Sequence, residues 1–104
     1  MYELSLSDIK NAHILLVDDQ PNNLKLLHLT LQKEGFDNIY EISDSRQVVD
    51  FCRNNNPDLI LLDLNMPEPD GFQIMEMLAE EKFEVPPAII VITAQSNKDC
   101  LLRS

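Results

Sequence analysis

Three short apolar runs, each closed by a polar side chain, constrain the fold more than any other feature of this sequence. The runs occupy residues 13–17, 59–62 and 88–92. The polar side chains that follow them directly are those of Asp18 and Asp19, of Asp63, and of Thr93. Continuous apolar runs of this length are typical of strands that are buried on both faces, as in a parallel sheet covered by helices.

The segment after the first run has the pattern of a helix. Pro21 suits a first helical turn, where its missing N–H costs nothing. Leu24, Leu27 and Leu31 then recur on one face of the helix. Gly35 can adopt the left-handed backbone conformation that commonly ends a helix. Strand, acidic turn and helix therefore form one βα unit.

The same alternation continues to the end of the chain. The sequence predicts a weaker strand and two helices over residues 38–42, 47–53 and 72–81. In the second of these helices, Phe72, Met75 and either Leu78 or Ala79 are expected on one face. Ser96 opens a capping-box pattern that predicts one more helix. We therefore expect an α/β fold, a doubly wound parallel sheet forming one domain over residues 1–104, with residues 1–12 as a lead-in segment.

Charge and hydropathy exclude several classes of function. The sequence has eight Lys and Arg residues and eighteen Asp and Glu residues, which gives a net charge of −10. This negative charge disfavours contact with nucleic acid or an anionic membrane. The apolar runs are too short to span a bilayer, and the first residues lack the pattern of a signal peptide. The sequence thus predicts a cytoplasmic protein.

Cys52 and Cys100 are far apart, without a CxxC pattern, and are expected to be reduced thiols.

The polar residues at the strand ends are candidates for a metal site. In an open parallel sheet all carboxyl ends lie at one edge, so Asp18, Asp19, Asp63 and Thr93 should converge there. Clustered carboxylates repel one another unless a cation lies among them, and hard oxygen ligands suit Mg²⁺. A carboxylate beside Mg²⁺ can attack phosphorus, and a threonine hydroxyl can donate to a phosphoryl oxygen.

Each of these residues taken alone has a simpler explanation. Asp18 or Asp19 could cap the helix that begins near Pro21, and a threonine after a strand often serves a turn. Asp63 has no capping role so far from the next helix. The joint occurrence of polar residues at three strand ends favours a site.

At this point the sequence resembles the receiver domains of bacterial two-component response regulators, the CheY-like family. Three segments carry the resemblance, namely ILLVDDQP at residues 14–21, LILLDLNMP at residues 59–67 followed by Asp70 and Gly71, and VITA at residues 91–94. The resemblance extends over residues 14–102 and implies a flavodoxin-like parallel sheet of strand order 2-1-3-4-5.

The resemblance also implies a role for each matching residue. Asp63 would accept the phosphoryl group from a sensor histidine kinase or a phosphotransfer protein. Mg²⁺ or Mn²⁺ would be held by Asp19, by Asp63 and by the backbone carbonyl of Asn65, with Asp18 acting through water. Thr93 would be the conformational switch. The small side chain of Ala94 would leave room beside the phosphoryl group.

Family members have a further strand ending in Lys-Pro and a final helix, and these 104 residues contain neither motif. We therefore expect a shortened receiver domain, assign no phosphate-binding lysine, and expect strand 88–92 to be an apolar sheet edge that promotes self-association. Two alternatives remain. One is a receiver-like interaction module that phosphorylation does not regulate. The other is a haloacid-dehalogenase-type aspartyl phosphatase, which would place an aspartate where Asn65 stands.

Overall fold

The structure is a computed structural model that describes residues 11–64 and 66–92. The elements in these residues are β1 (His13–Val17), α1 (Pro21–Lys33), β2 (Asn38–Ile42), a 3₁₀ turn (Ser45–Gln47), α2 (Val48–Asn55), β3 (Leu59–Asp63), α3 (Gly71–Ala79) and β4 (Ala88–Ile92). All four predicted strands are present, and β3 includes the aspartate that closes its apolar run. The helix predicted at Ser96 lies outside the described residues.

The four strands form one parallel sheet in the order β2-β1-β3-β4. Val17 at the end of β1 lies opposite Ile42 of β2 and Leu62 of β3, and Asp63 lies opposite Ile92 of β4. The carboxyl ends of the strands are therefore level with one another. The doubly wound α/β fold and the order of these strands agree with the prediction from sequence.

The central strands β1 and β3 are covered on both faces, which explains their continuous apolar runs. On one face Leu15 and Val17 pack with residues of α2 and α3, and on the other face Ile14 and Leu16 pack with Leu24 of α1. Leu27 and Leu31, which the sequence places on the same helix face as Leu24, are partly buried against that second core. The strands are thus fixed between two layers.

The apolar residues of α3 differ in burial. Phe72 is 60% exposed, whereas Ile74 and Leu78 are buried. The cause is the start of the helix. Asp70 is the N-cap and forms a capping box with Gln73, and this fixes a helical phase in which positions 74 and 78, rather than 72, face the sheet.

The helix boundaries also differ from the prediction. α3 ends at Ala79, and α2 begins at Val48 after a 3₁₀ turn that Asp44 caps.

Among the described residues no helix combines the length and apolar character needed to cross a membrane.

Candidate functional site

Three carboxylates meet at the carboxyl edge of the sheet. Asp18 and Asp19 directly follow β1, and Asp63 is the last residue of the neighbouring strand β3. One oxygen from each side chain lies within 4.8 Å of the other two. The parallel pairing of β1 with β3 therefore brings residues from distant parts of the sequence into one acidic cluster.

The three carboxylates differ in exposure. Asp18 is 3% exposed and Asp63 is 5% exposed, while Asp19 is only half-buried. Negative charges this close raise one another's energy, and the low dielectric of a partly buried site makes that repulsion stronger. A cation among the three side chains would offset it.

Asp18 is held in place by several hydrogen bonds. Its backbone N–H donates to the carbonyl of Ile42 at 3.2 Å. Its Oδ1 accepts from the backbone N–H of Gln20 at 2.9 Å, and its Oδ2 accepts from the side-chain amide of Asn23 at 3.3 Å. The N-cap of α1 is Gln20, so neither Asp18 nor Asp19 is the cap that the simpler explanation required.

Sequence reasoning missed Asn23. The only sequence pattern that indicates it is an amide side chain in the first turn of a helix, five positions after Asp18. That pattern alone does not distinguish a side chain that reaches back to the acid from one that points to solvent.

The loop between β3 and α3 is packed closely against Asp63. A Cβ atom on Gly71 would lie 2.9 Å from the Asp63 carbonyl oxygen and 2.8 Å from the Leu64 Cα. Both distances are shorter than ordinary contacts, and backbone atoms cannot move aside as a flexible side chain would. Glycine at this position lets α3 begin directly beside the acidic cluster.

Three predicted site residues, Asn65, Thr93 and Ala94, lie outside the described part of the chain. Thr93 follows Ile92 in sequence, and Ile92 is the register partner of Asp63.

Another nucleophilic side chain, the Cys52 thiol, lies in the core. Burial raises its pKa to about 11, so it carries no thiolate at neutral pH.

The donor atoms of the acidic cluster fit a hard cation. All three side chains offer carboxylate oxygen, the ligand type that Mg²⁺ and Mn²⁺ take, and none offers sulfur or imidazole. Mg²⁺ commonly uses one or two carboxylates and keeps several waters. Asp18, Asp19 and Asp63 therefore form a group of suitable chemistry for such an ion.

The fold and the cluster together define a doubly wound parallel α/β domain with an acidic cluster at the carboxyl edge of its sheet. Comparison with known families makes the assignment specific. The family model described as "Response regulator receiver domain" matches residues 14–104. The chain belongs to this family, the receiver domains of two-component signalling systems.

Similar proteins agree with this assignment. The chain is 32% identical over 88 residues to the alkaline phosphatase synthesis transcriptional regulatory protein PhoP of Bacillus subtilis, covering 85% of this chain and 35% of PhoP. It is 39% identical over 85 residues to the transcriptional regulatory protein SrrA of Staphylococcus aureus, covering 82% of this chain and 34% of SrrA. The chain thus spans about a third of the length of these curated relatives.

A solved structure supports the fold as well. The N-terminal domain of a response regulator receiver protein from Methanoculleus marisnigri JR1 superposes with a TM-score of 0.72 at 26% identity, covering 81% of this chain and 68% of that chain.

Proposed function

We propose that this domain accepts a phosphoryl group on Asp63 in a reaction that depends on Mg²⁺ or Mn²⁺. The observation that carries the proposal is the position of Asp63, buried at the end of β3 with a carboxylate oxygen within 4.8 Å of those of Asp18 and Asp19. The family assignment supports the same role. The donor would be a sensor histidine kinase or a phosphotransfer protein.

In the proposed reaction a carboxylate oxygen of Asp63 attacks the phosphorus of the donor. The new bond is the O–P bond of an aspartyl phosphate, and the bond that breaks joins phosphorus to the donor nitrogen, which keeps the electron pair and takes up a proton. A bound divalent cation would supply positive charge beside the phosphoryl oxygens. The protein's own contribution is to hold the attacking carboxylate in place at the end of a rigid strand.

The remaining residues would bind the cation and orient the phosphoryl group. Asp19, Asp63 and the backbone carbonyl of Asn65 would ligate the cation, and Asp18 would reach it through water. Thr93 would donate a hydrogen bond to a phosphoryl oxygen and change position with it. The pairing of Ile92 with Asp63 supports this role, because Thr93 is the next residue in the chain.

Ala94 would contribute the small side chain that leaves space beside the phosphoryl group. The domain would act as a signalling switch in the cytoplasm and not as an enzyme with turnover, although its residues would assist both gain and loss of the phosphoryl group. Its output would depend on a partner domain or protein.

The retention of the phosphoryl group tests this proposal against that of a phosphatase. The protein is incubated with acetyl phosphate and Mg²⁺, and both bound and released phosphate are measured over time. A receiver domain should hold up to one acid-labile phosphoryl group per chain for seconds or longer, whereas rapid release of many equivalents with little phosphate bound would favour the phosphatase alternative. Asp63→Asn is the control and should hold none.

A further inference from the structure

The carboxylate of Asp18 is fixed at both of its oxygens by the first turn of α1. One donor is the backbone N–H of Gln20, at 2.9 Å from Oδ1, and the other is the side-chain amide of Asn23, at 3.3 Å from Oδ2. An ionised carboxylate only accepts hydrogen bonds, so the amide must present its NH₂ group to Asp18.

Asn23 is itself held by the same turn. Its backbone N–H donates to the Gln20 carbonyl at 3.0 Å, while the Gln20 N–H donates to Asp18. The three residues therefore close a small ring of hydrogen bonds at the start of the helix. Within that ring, the Asn23 side chain is the one donor that a substitution can remove without changing the backbone.

From this geometry we propose that Asn23 is a positioning residue of the cation site, an inference that rests on the proposed function. Asn23 holds the buried Asp18 carboxylate in the orientation that faces Asp19 and Asp63. Without the amide, Oδ2 loses a partner and the carboxylate can rotate about its last torsion. Groups that orient a metal-binding carboxylate through hydrogen bonds affect metal affinity without touching the metal.

The test is Mg²⁺ affinity, measured by isothermal titration on the unchanged protein, Asn23→Ala and Asn22→Ala. Asn22 is the exposed neighbour in the same helical turn, so both variants gain the same helix propensity. We expect Asn23→Ala to weaken binding about tenfold, at the low end of the usual effect of losing such a partner because the Gln20 donor remains. Asn22→Ala should leave it unchanged.

Two further measurements separate positioning from folding. In Asn23→Ala, saturating Mg²⁺ should restore the rate of phosphorylation by acetyl phosphate to near that of the unchanged protein, because only the occupancy of the site is reduced. Thermal unfolding in EDTA should be similar for the two alanine variants, while the rise in melting temperature on adding Mg²⁺ should be smaller for Asn23→Ala.

Asp19→Asn distinguishes failure of this inference from failure of the proposed function. If Asp19→Asn weakens Mg²⁺ binding but Asn23→Ala and Asn22→Ala bind equally well, the role of Asn23 is wrong and the cation site stands. If Asp19→Asn binds Mg²⁺ as the unchanged protein does, the cation site is itself wrong, and the role of Asn23 falls with it.

Discussion

Asp18 and Asp19 are adjacent in sequence but have different environments. Asp18 is buried and accepts two hydrogen bonds, whereas Asp19 is half-buried. Replacing Asp18 would disturb the start of α1 as well as the charge of the cluster. Asp19 is therefore the better position at which to test the charge itself.

Asp19→Asn should weaken Mg²⁺ binding and stabilise the protein in metal-free buffer. The substitution removes a negative ligand, and it also removes repulsion of at least about 1 kcal/mol, the value for well-solvated unit charges a few ångströms apart, which partial burial increases. Urea unfolding with and without Mg²⁺ measures both effects. Equal stability and equal Mg²⁺ response in the two proteins would contradict the cation site.

The sequence predicted the candidate site in part. Asp18, Asp19 and Asp63 were predictable because a parallel sheet aligns its strand ends, so topology alone brings them together. The contribution of Asn23 was not predictable, since it depends on the side-chain conformation of one amide in a helical turn. Asn65, Thr93 and Ala94 remain predictions.

At the scale of the elements, strands were easier to predict than helices. Strands β1, β3 and β4 each contain a continuous apolar run followed by a polar residue, and that change in character marks where the strand ends. The phase of α3 depends instead on which residue caps it. Asp70 and Gln73 fit a capping box, and counting from that cap would have placed Phe72 on the exposed side.

Gly71→Ala tests how closely α3 is packed against the acceptor strand. The added methyl group would lie 2.9 Å from the Asp63 carbonyl oxygen, so the loop must shift. We expect a loss of stability of roughly 1–3 kcal/mol, as for other overpacked sites, and slower phosphorylation. Urea denaturation measures the loss, with the exposed Glu76→Ala in the same helix as the control. An unchanged midpoint for Gly71→Ala would show that the contact is not restrictive.

At the scale of the whole molecule, β4 lies at one end of the described sheet. Ile90 is 51% exposed and Val91 is 38% exposed, and they point to opposite faces because neighbouring strand residues alternate. The strand predicted to be an apolar edge is thus apolar and exposed on both faces in the part of the chain that the structure describes. Such a strand is prone to pair with another chain.

We therefore expect the 104-residue polypeptide to self-associate at high concentration. Sedimentation velocity over a range of concentrations measures this. Ile90→Lys should shift the distribution toward monomer, because a lysine on an edge strand opposes pairing, and the exposed Lys25→Arg serves as control. A dispersed, folded monomer at every concentration would contradict the expectation.

The most direct test of the central claim is the intact mass of the protein after reaction with acetyl phosphate and Mg²⁺. The account predicts a species heavier by one phosphoryl group, lost on acid treatment and on omission of the metal, and absent in Asp63→Asn. Modification that persists in Asp63→Asn would place the acceptor elsewhere. No modification of the unchanged protein would contradict phosphoryl acceptance by this domain.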